Sequence, residues 1–299
     1  DGVLYLAGGF TQATDAQNLI SQRARLAAIH ITNDSPITVE VWNPGTGGTA
    51  NHIQFLNSST VIPAPTIFAS GNFGIAGGVV RSNLAAFELK SGQVVPGWDP
   101  VVGGSVFALQ LVPATVSTPA LLIAGGNFTS VEGLDFRNLV VLTSLPRDPK
   151  NPVLADASWA PNPIPGPVHA LALSSKDELY VAGNFSSFAT APGVSFGNLA
   201  KFLPRGLTPA MPTAWQPITA TPGTVYSMDL TADQSMVFIG GEFATVNSLA
   251  KSNLAAIAAG SGAVSAWQFA TNGAVRALQL DRSAAFVYAG GDFTAVNTV

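Results

Sequence analysis

The chain has 299 residues, of which 47% are hydrophobic and only 10% are charged. The hydrophobic content supports a sizeable core, while the net charge of -4 and the lack of basic runs exclude electrostatic attraction to nucleic acid or anionic lipid. There is no cysteine, which excludes disulfides and cysteine-ligated metals, and no uninterrupted run of about 18 apolar residues predicts a membrane span.

The first predicted element is a strand that ends in Gly-x-Phe, as in "LYLAGGF" at the start of the chain. The same element recurs at intervals of 50 to 63 residues. Its phenylalanines are Phe10, Phe73, Phe128, Phe185, Phe243 and Phe293. Two small residues side by side in a strand indicate a bulge or the close approach of another backbone. We expect neighbouring sheets to approach at these glycines. A phosphate-binding loop would need a helix after the glycines, and no helical pattern follows.

Three further elements follow in fixed order. The second is an apolar segment with the pattern "NLAAF" or "RLAAI", at Leu26, Leu84, Leu139, Leu199 and Leu254. The third contains the tryptophans Trp42, Trp98, Trp159, Trp215 and Trp267. The fourth opens the next unit, as in "VFALQL" from Val106. In chain order within a unit we name the four strands A (the "VFALQL" type), B (Gly-x-Phe), C ("NLAAF") and D (tryptophan).

Four short strands in a repeated unit of 50–60 residues are typical of a β-propeller blade, so the fold class predicted is an all-β propeller. The repeats span approximately 1–48, 49–103, 104–164, 165–220, 221–271 and 272–299, the last being partial, within a single domain of residues 1–299 or a fragment of a larger propeller. The number of predicted strands is one more than a closed five-bladed propeller holds. Either the chain is cut from a longer one, or the extra strand pairs with a neighbouring molecule.

Strand D, as an outermost strand, tolerates proline, and its tryptophan is expected to cover the junction between blades. The alternative is a platform on which sugars stack. The basic residues near strand C are expected to make local hydrogen bonds to turns. They are Arg25, Arg81, Arg137 and Lys251, with Phe196-Gly197 in their place in the fourth repeat.

Strand A carries the most variable positions. Because strand A lines the central channel of a propeller, these positions are the candidate ligand site. The second position reads Gln54, Phe107, His169, Tyr226 and Arg276, and the fifth reads Asn57, Gln110, Ala172, Asp229 and Gln279.

No catalytic, cofactor-binding or metal-binding residues are predicted. The histidines His30, His52 and His169 lie in different repeats without ligand spacing, and there is no G-x-S-x-G nucleophile elbow. Four sequons occur, at Asn33, Asn57, Asn127 and Asn184, and would carry glycans in a secreted eukaryotic protein.

The segments "LYVAGNFSSF…FGNLAKF", "IAGGNFTSVEG…FRNLVVL" and "RSNLAAFELKSGQVVPGWDP" resemble the propeller repeats of bacterial surface proteins of unknown function, the delta-sixty-like repeats. They are also similar to the repeats of fungal cortical polarity-marker proteins. The resemblance implies an extracellular or cell-surface propeller and transfers no catalytic residue.

The predicted function is a binding or structural scaffold without enzymatic activity, whose partners are proteins or surface glycans of an extracellular assembly. The chain begins at Asp1 without Met or signal peptide, as in a processed or partial chain. Two alternatives stay open. One is a carbohydrate-binding or carbohydrate-active propeller. The other is a subunit of a filament or coat that self-associates through an unpaired edge strand.

Overall fold

The computed structural model describes residues 2–31, 36–57, 65–114, 120–143, 155, 164–185, 197–202, 213–215, 217–219, 223–281, 283 and 285–298. Within these ranges the chain is all-β, which confirms the predicted class. The sheets are small, and none closes on itself. No helix in the described residues has the length and apolarity needed to cross a membrane.

The strands fall in two compact units, Asp1–Phe136 with Val140–Asp156 and Arg137–Leu139 with Ala157–Val299. Up to Thr143 the strands are β1 (Gly2–Ala7), β2 (Gln12–Thr14), β3 (Ile20–Gln22), β4 (Leu26–Ile31), β5 (Thr38–Val39), β6 (Thr49–Leu56), β7 (Thr66–Asn72), β8 (Ile75–Ala76), β9 (Val79–Val80), β10 (Leu84–Glu88), β11 (Val102–Val112), β12 (Leu121–Val131) and β13 (Leu139–Thr143). The others are β14 (Val168–Leu173), β15 (Leu179–Gly183), β16 (Leu199–Phe202), β17 (Thr224–Leu230), β18 (Met236–Glu242), β19 (Thr245–Val246), β20 (Leu249–Ala250), β21 (Leu254–Ala258), β22 (Phe269–Thr271), β23 (Val275–Leu280), β24 (Val287–Gly291) and β25 (Val296–Thr298).

Repeats 2 to 5 each form one antiparallel sheet in which strand B lies between strands A and C. The complete A–B–C sheets are β6-β7-β10, β11-β12-β13, β14-β15-β16 and β17-β18-β21. The first sheet, β1-β4-β5, holds strands B, C and D, and the last, β23-β24, holds strands A and B. Strand order along the sheets therefore follows the predicted order of the elements.

Strand D is shorter than predicted. Among the described residues of repeats 2, 3 and 5 it is reduced to single bridges, Phe87 to Val94, Leu142 to Ala155 and Ile257 to Val264. The described tryptophans lie in irregular backbone rather than on a strand, and Trp98 and Trp267 follow a bridge. Next to the bridges, as in "SGQVVPGWDP", proline removes a ladder donor and glycine weakens the strand because it has no side chain to pack.

The sheets pack face to face within each unit, and this buries strand B of the inner repeats on both faces. All residues of β7 but the last are buried, and so are all residues of β15. In the first unit one core cluster joins Leu26 and Trp42 of repeat 1 to Ile67 and Phe87 of repeat 2. In the second, Tyr180 and Leu199 of repeat 4 pack with Ile239 and Ile257 of repeat 5. The repeat is thus a packing unit whose neighbour completes its core.

Candidate functional site

A β-bulge in strand A positions the most variable side chains. In each of the five sheets with a strand A, one residue near its start is left unpaired where the register to strand B shifts. The unpaired residues are Asn51, Phe107, His169, Tyr226 and Arg276. Opposite each bulge stands the glycine of Gly-x-Phe.

These glycines are required by the bulge itself. A Cβ on Gly71 would lie 2.0 Å from the Thr49 carbonyl oxygen, and one on Gly126 would lie 2.1 Å from that of Ser105. Gly183, Gly241 and Gly291 have the same relation to their own strand A, at 2.0–2.1 Å. The close approach predicted from the sequence is therefore confirmed, but the neighbouring backbone belongs to the same sheet. The neighbouring sheet is met instead at the small residue before this glycine in repeat 5, where a Cβ on Gly240 would lie 2.5 Å from Cγ1 of Val275.

The pairing corrects the alignment of repeat 2. Gln54 pairs with Phe68 and is the counterpart of Gln110, while Asn51 is the bulged residue. The predicted second and fifth positions of this repeat, Gln54 and Asn57, are thus each displaced by three residues. This error in the alignment arose because the apolar pattern of strand A is repetitive and no residue type in it marks the bulge. The other four bulged residues are those predicted.

In the second unit three bulged side chains form a row. The rings of His169 and Tyr226 meet edge to face with centroids 5.3 Å apart. The Arg276 guanidinium lies over the Tyr226 ring, 4.3 Å from its centroid. His169 and Tyr226 are half-buried and Arg276 is exposed. Successive strands A thus bring three predicted site residues into contact; we call this set the bulge row.

Two carboxylates flank the bulge row, and both come from the middle position of Gly-x-Phe. Asp292 accepts a hydrogen bond from Nε of Arg276 at 2.8 Å and pairs with Nη2 at 2.6 Å. Glu242 accepts a long hydrogen bond from the Tyr226 hydroxyl, at 3.5 Å. The bond to Asp292 raises the pKa of Arg276, whereas burial and the nearby Arg276 lower the pKa of His169. The row therefore holds a neutral imidazole beside a guanidinium and two carboxylates at neutral pH.

The first unit uses the same bulge with uncharged side chains. Asn51 donates from Nδ2 to the Val106 carbonyl at 3.2 Å, and Phe107 is half-buried. The neighbouring His52 accepts the backbone N–H of Leu109 on Nδ1 at 2.7 Å. Burial lowers the pKa of His52 to about 4, so this imidazole is neutral and acts as an acceptor.

The fifth strand A positions serve structural roles. Asp229 accepts hydrogen bonds from Gln279 Nε2 at 2.6 Å and from the Leu280 backbone at 2.8 Å, which joins two neighbouring sheets. Gln110 bonds the adjacent Leu111 carbonyl, Ala172 is buried, and Asn57 is exposed.

Three of the four described tryptophans pack inside rather than presenting a ring to solvent, and Trp267 is half-buried against Phe238 and Phe269. Trp42, Trp98 and Trp215 are 7%, 0% and 3% exposed, and each meets an aromatic ring of strand B in its own repeat. The indole N–H of Trp98 donates to the Thr143 carbonyl and that of Trp215 to the Ala258 carbonyl, both at 2.9 Å. These carbonyls end strand C of the next repeat, so the tryptophans cover the junction as predicted. Trp159 lies outside the described residues.

An asparagine recurs just before strand C and holds the neighbouring backbone in place, a role that was not predicted from the sequence. Asn83, Asn198 and Asn253 have φ between 66° and 70°, and each accepts the N–H of the Gly-x-Phe phenylalanine on Oδ1. Each also donates from Nδ2 to the segment that leads into the next strand A. The signal was the asparagine of "NLA", which tolerates the left-handed conformation. Arg25 takes this position in repeat 1 and donates to Thr46.

The remaining candidates are placed as follows. Lys251 donates to the Trp267 carbonyl and Arg81 to that of Val80, the local bonds predicted for basic residues. His30 pairs with Glu40 at 3.1 Å. Asn57, Asn127 and Asn184 are exposed, and Asn33 and Phe196 lie outside the described residues. In the part of the chain that is described, no three His, Asp or Glu side chains gather as a metal site.

Comparison with known proteins adds no family to these observations. No protein-family model matches the chain, and a search of curated proteins returns no match.

Proposed function

We propose that the chain is a β-propeller-type scaffold module of an extracellular or cell-surface assembly, and that it binds its partner through the bulge row. Two features support the propeller. The four complete sheets run in the order A–B–C, and strands A of successive repeats lie side by side within each unit, β6 beside β11, and β14 beside β17 beside β23. Innermost strands that neighbour one another are what a propeller requires.

The observation that carries the binding role is the contrast between repeated and variable residues. The glycines, the asparagines before strand C and the described buried tryptophans each have a packing or hydrogen-bonding role that recurs from repeat to repeat. The bulged residues change from copy to copy on one backbone, and His169, Tyr226 and Arg276 make a contiguous polar surface. Binding specificity is encoded at positions whose side chains vary while their backbone geometry and partial exposure stay the same.

The chemistry of the bulge row favours a partner rich in hydrogen-bonding groups. The row offers an imidazole, a phenol, a guanidinium and two exposed carboxylates over a short distance. Surface glycans and polar protein surfaces both match this set. The carbohydrate alternative rests mainly on the row, because Trp42, Trp98 and Trp215 are buried and cannot present a ring to a sugar, whereas Trp267 is half-buried.

A binding screen tests this proposal. The purified chain would be applied to an array of defined glycans and to cell-wall and extracellular-matrix polymers. We expect binding that is lost in the triple variant His169→Ala, Tyr226→Ala, Arg276→Ala. The matched control is Asn51→Ala with Phe107→Ala, which alters the same bulge in the first unit. Ligands that bind all three proteins equally, or no ligand at all, would contradict a site at the bulge row.

A further inference from the structure

Glu242, beside the bulge row, carries a charge that no described residue neutralises. The Tyr226 hydroxyl donates to its carboxylate at the long distance of 3.5 Å. The other flanking carboxylate, Asp292, forms an ion pair with Arg276, so these two charges balance each other. No basic side chain among the described residues pairs with Glu242. Because the imidazole of His169 is neutral at neutral pH, the row and its carboxylates have one negative charge left over.

An open cleft with a volume of about 420 Å³ lies next to Glu242. Five of the residues that line it have polar side chains, namely Glu242, Ser252, Asn253, Thr271 and Asn272. The other two are Phe243, which is buried, and Ala244. A volume of this size is in the range of pockets that hold small ligands. The cleft therefore extends the bulge row by a polar surface, and Glu242 belongs to both.

Most of the polar side chains in the cleft are already bonded within the fold. Asn253 bonds two backbone groups, and so does Asn272. The Thr271 hydroxyl donates to a backbone carbonyl at 2.7 Å. Two polar groups remain for a ligand, the carboxylate of Glu242 and the hydroxyl of Ser252, which bonds no described residue. Because the wall is held by its own hydrogen bonds, a ligand does not have to order it on binding.

The basic residue next to the cleft in sequence does not line it. Lys251 precedes Ser252, but its ammonium donates to the Trp267 carbonyl and its side chain is buried. The carboxylate of Glu242 is therefore the single charged group among the residues that line the cleft.

We propose that the ligand of the bulge row is an oligosaccharide with free amino groups, and that its ammonium binds Glu242 in this cleft. An ammonium group has three N–H donors and no acceptor, which matches the carboxylate of Glu242 and the hydroxyl oxygen of Ser252. The sugar hydroxyls bond the imidazole and the phenol of the row. This inference rests on the proposed function, because it names the ligand class of the same site.

The surroundings of Glu242 favour an amino sugar over a lysine side chain of a partner protein. Lysine carries its ammonium on a long apolar stem, which is stabilised where it lies along apolar surface. The cleft is lined mainly by polar side chains, and its phenylalanine, Phe243, is buried. An amino sugar has hydroxyl groups next to the ammonium, and these suit an open polar surface.

The test compares ligands that differ in one group. Calorimetry would measure binding of the intact chain to three oligosaccharides of equal length, one with free amino groups, one N-acetylated and one with hydroxyl groups in place of the amines. We expect saturable binding of the first alone, weaker at high salt because Glu242 is exposed. Equal binding of the amino and N-acetylated sugars, no binding of the amino sugar, or tighter binding of a lysine-rich peptide would overturn the proposal.

A pair of variants tests the role of Glu242. Glu242→Gln keeps the shape of the side chain and removes its charge, and we expect it to weaken binding of the amino sugar about three- to tenfold. Asp233→Asn is the matched control, because it removes one negative charge from the same repeat at the β17–β18 turn, the other end of β18. We expect it to leave the affinity unchanged. Equal weakening by the two variants would show an effect of net charge and refute the role of Glu242.

The inference and the proposed function can fail separately. If the triple variant His169→Ala, Tyr226→Ala, Arg276→Ala loses a ligand that has no amino group, the bulge row is a binding site and the amino-sugar inference is wrong. If Glu242→Gln loses the amino sugar and the triple variant retains it, the cleft binds the ligand and the binding role of the row is wrong.

Discussion

The bulges of the first unit and those of the second have the same backbone and different chemistry. In both, strand A carries one unpaired residue opposite a glycine that no side chain could replace. In the first unit the bulged residues are Asn51 and Phe107, and the nearest imidazole, His52, is used to hold a neighbouring backbone. In the second, His169, Tyr226 and Arg276 touch one another.

The difference teaches that this repeat separates folding from recognition. The glycine and the bulge determine where a side chain is presented, and the identity of that side chain has little influence on the sheet. Different bulged residues thus stand on the same backbone in successive repeats, which is how sites are placed on an unchanged fold. Three predictions test the comparison.

The largest effect is expected at the shared backbone. Gly126→Ala and Gly241→Ala would each place a Cβ 2.1 Å from a carbonyl oxygen, that of Ser105 or Thr224. The bulge must then move, and we expect the free energy of unfolding to fall by about 3 kcal/mol or more in both units. Urea denaturation followed by tryptophan fluorescence measures the loss.

The controls are Gly74→Ala and Gly260→Ala, where a Cβ would meet no atom within 4 Å. They should change the free energy of unfolding by less than about 1 kcal/mol. A mild effect at Gly126 with a severe one at Gly241 would show that the two units do not share this device.

Repetition explains how much could be predicted from the sequence. The order of strands and the need for glycine follow from one residue pattern seen several times, so errors in one copy are corrected by the others. The bulge could not be located in repeat 2, because "NHIQFLN" offers several equivalent alternations of polar and apolar residues. Strand D was overestimated, since a tryptophan and a proline define a position but do not supply the ladder bonds of a strand.

The contacts within the bulge row could not be predicted at all. The sequence shows that His169, Tyr226 and Arg276 occupy equivalent positions. Glu242 and Asp292 join them because the A–B hairpin brings the middle residue of Gly-x-Phe next to the bulge. Such juxtaposition is a property of the pairing register, which a one-dimensional pattern does not contain.

The second prediction concerns acid and the first unit. His52 has its pKa lowered from 6.5 to about 4 and accepts the Leu109 N–H as a neutral ring. The unfolded chain therefore takes up this proton first, and stability present above pH 6.5 is lost as the pH falls towards 4. The shift corresponds to about 3 kcal/mol. Urea denaturation from pH 4 to 7.5 should give a flatter profile for His52→Gln than for the native chain.

His169→Gln is the counterpart in the second unit. The pKa of His169 is also lowered, by burial and by Arg276, so the stability that depends on its neutral ring is likewise lost below pH 6.5, but the shift is smaller than that of His52. We expect the pH profile of this variant to stay closer to that of the native chain. Coincident profiles for His52→Gln and the native chain would rule out the imidazole as the acid-sensitive contact of the first unit.

The smallest effect is the coupling within the bulge row. A double-mutant cycle with Tyr226→Leu and Arg276→Met removes the stacked guanidinium and its ring in turn, and a cation over a tyrosine at an exposed site contributes about 0.5–1 kcal/mol. The coupling should shrink in high salt, since Arg276 and Asp292 are exposed.

The matching cycle in the first unit, Asn51→Ala with Phe107→Leu, should give coupling near zero, because Asn51 bonds the Val106 backbone rather than a ring. Equal coupling in the two cycles would mean that the row is no more organised than its neutral counterpart, and the case for binding there would lose its physical basis.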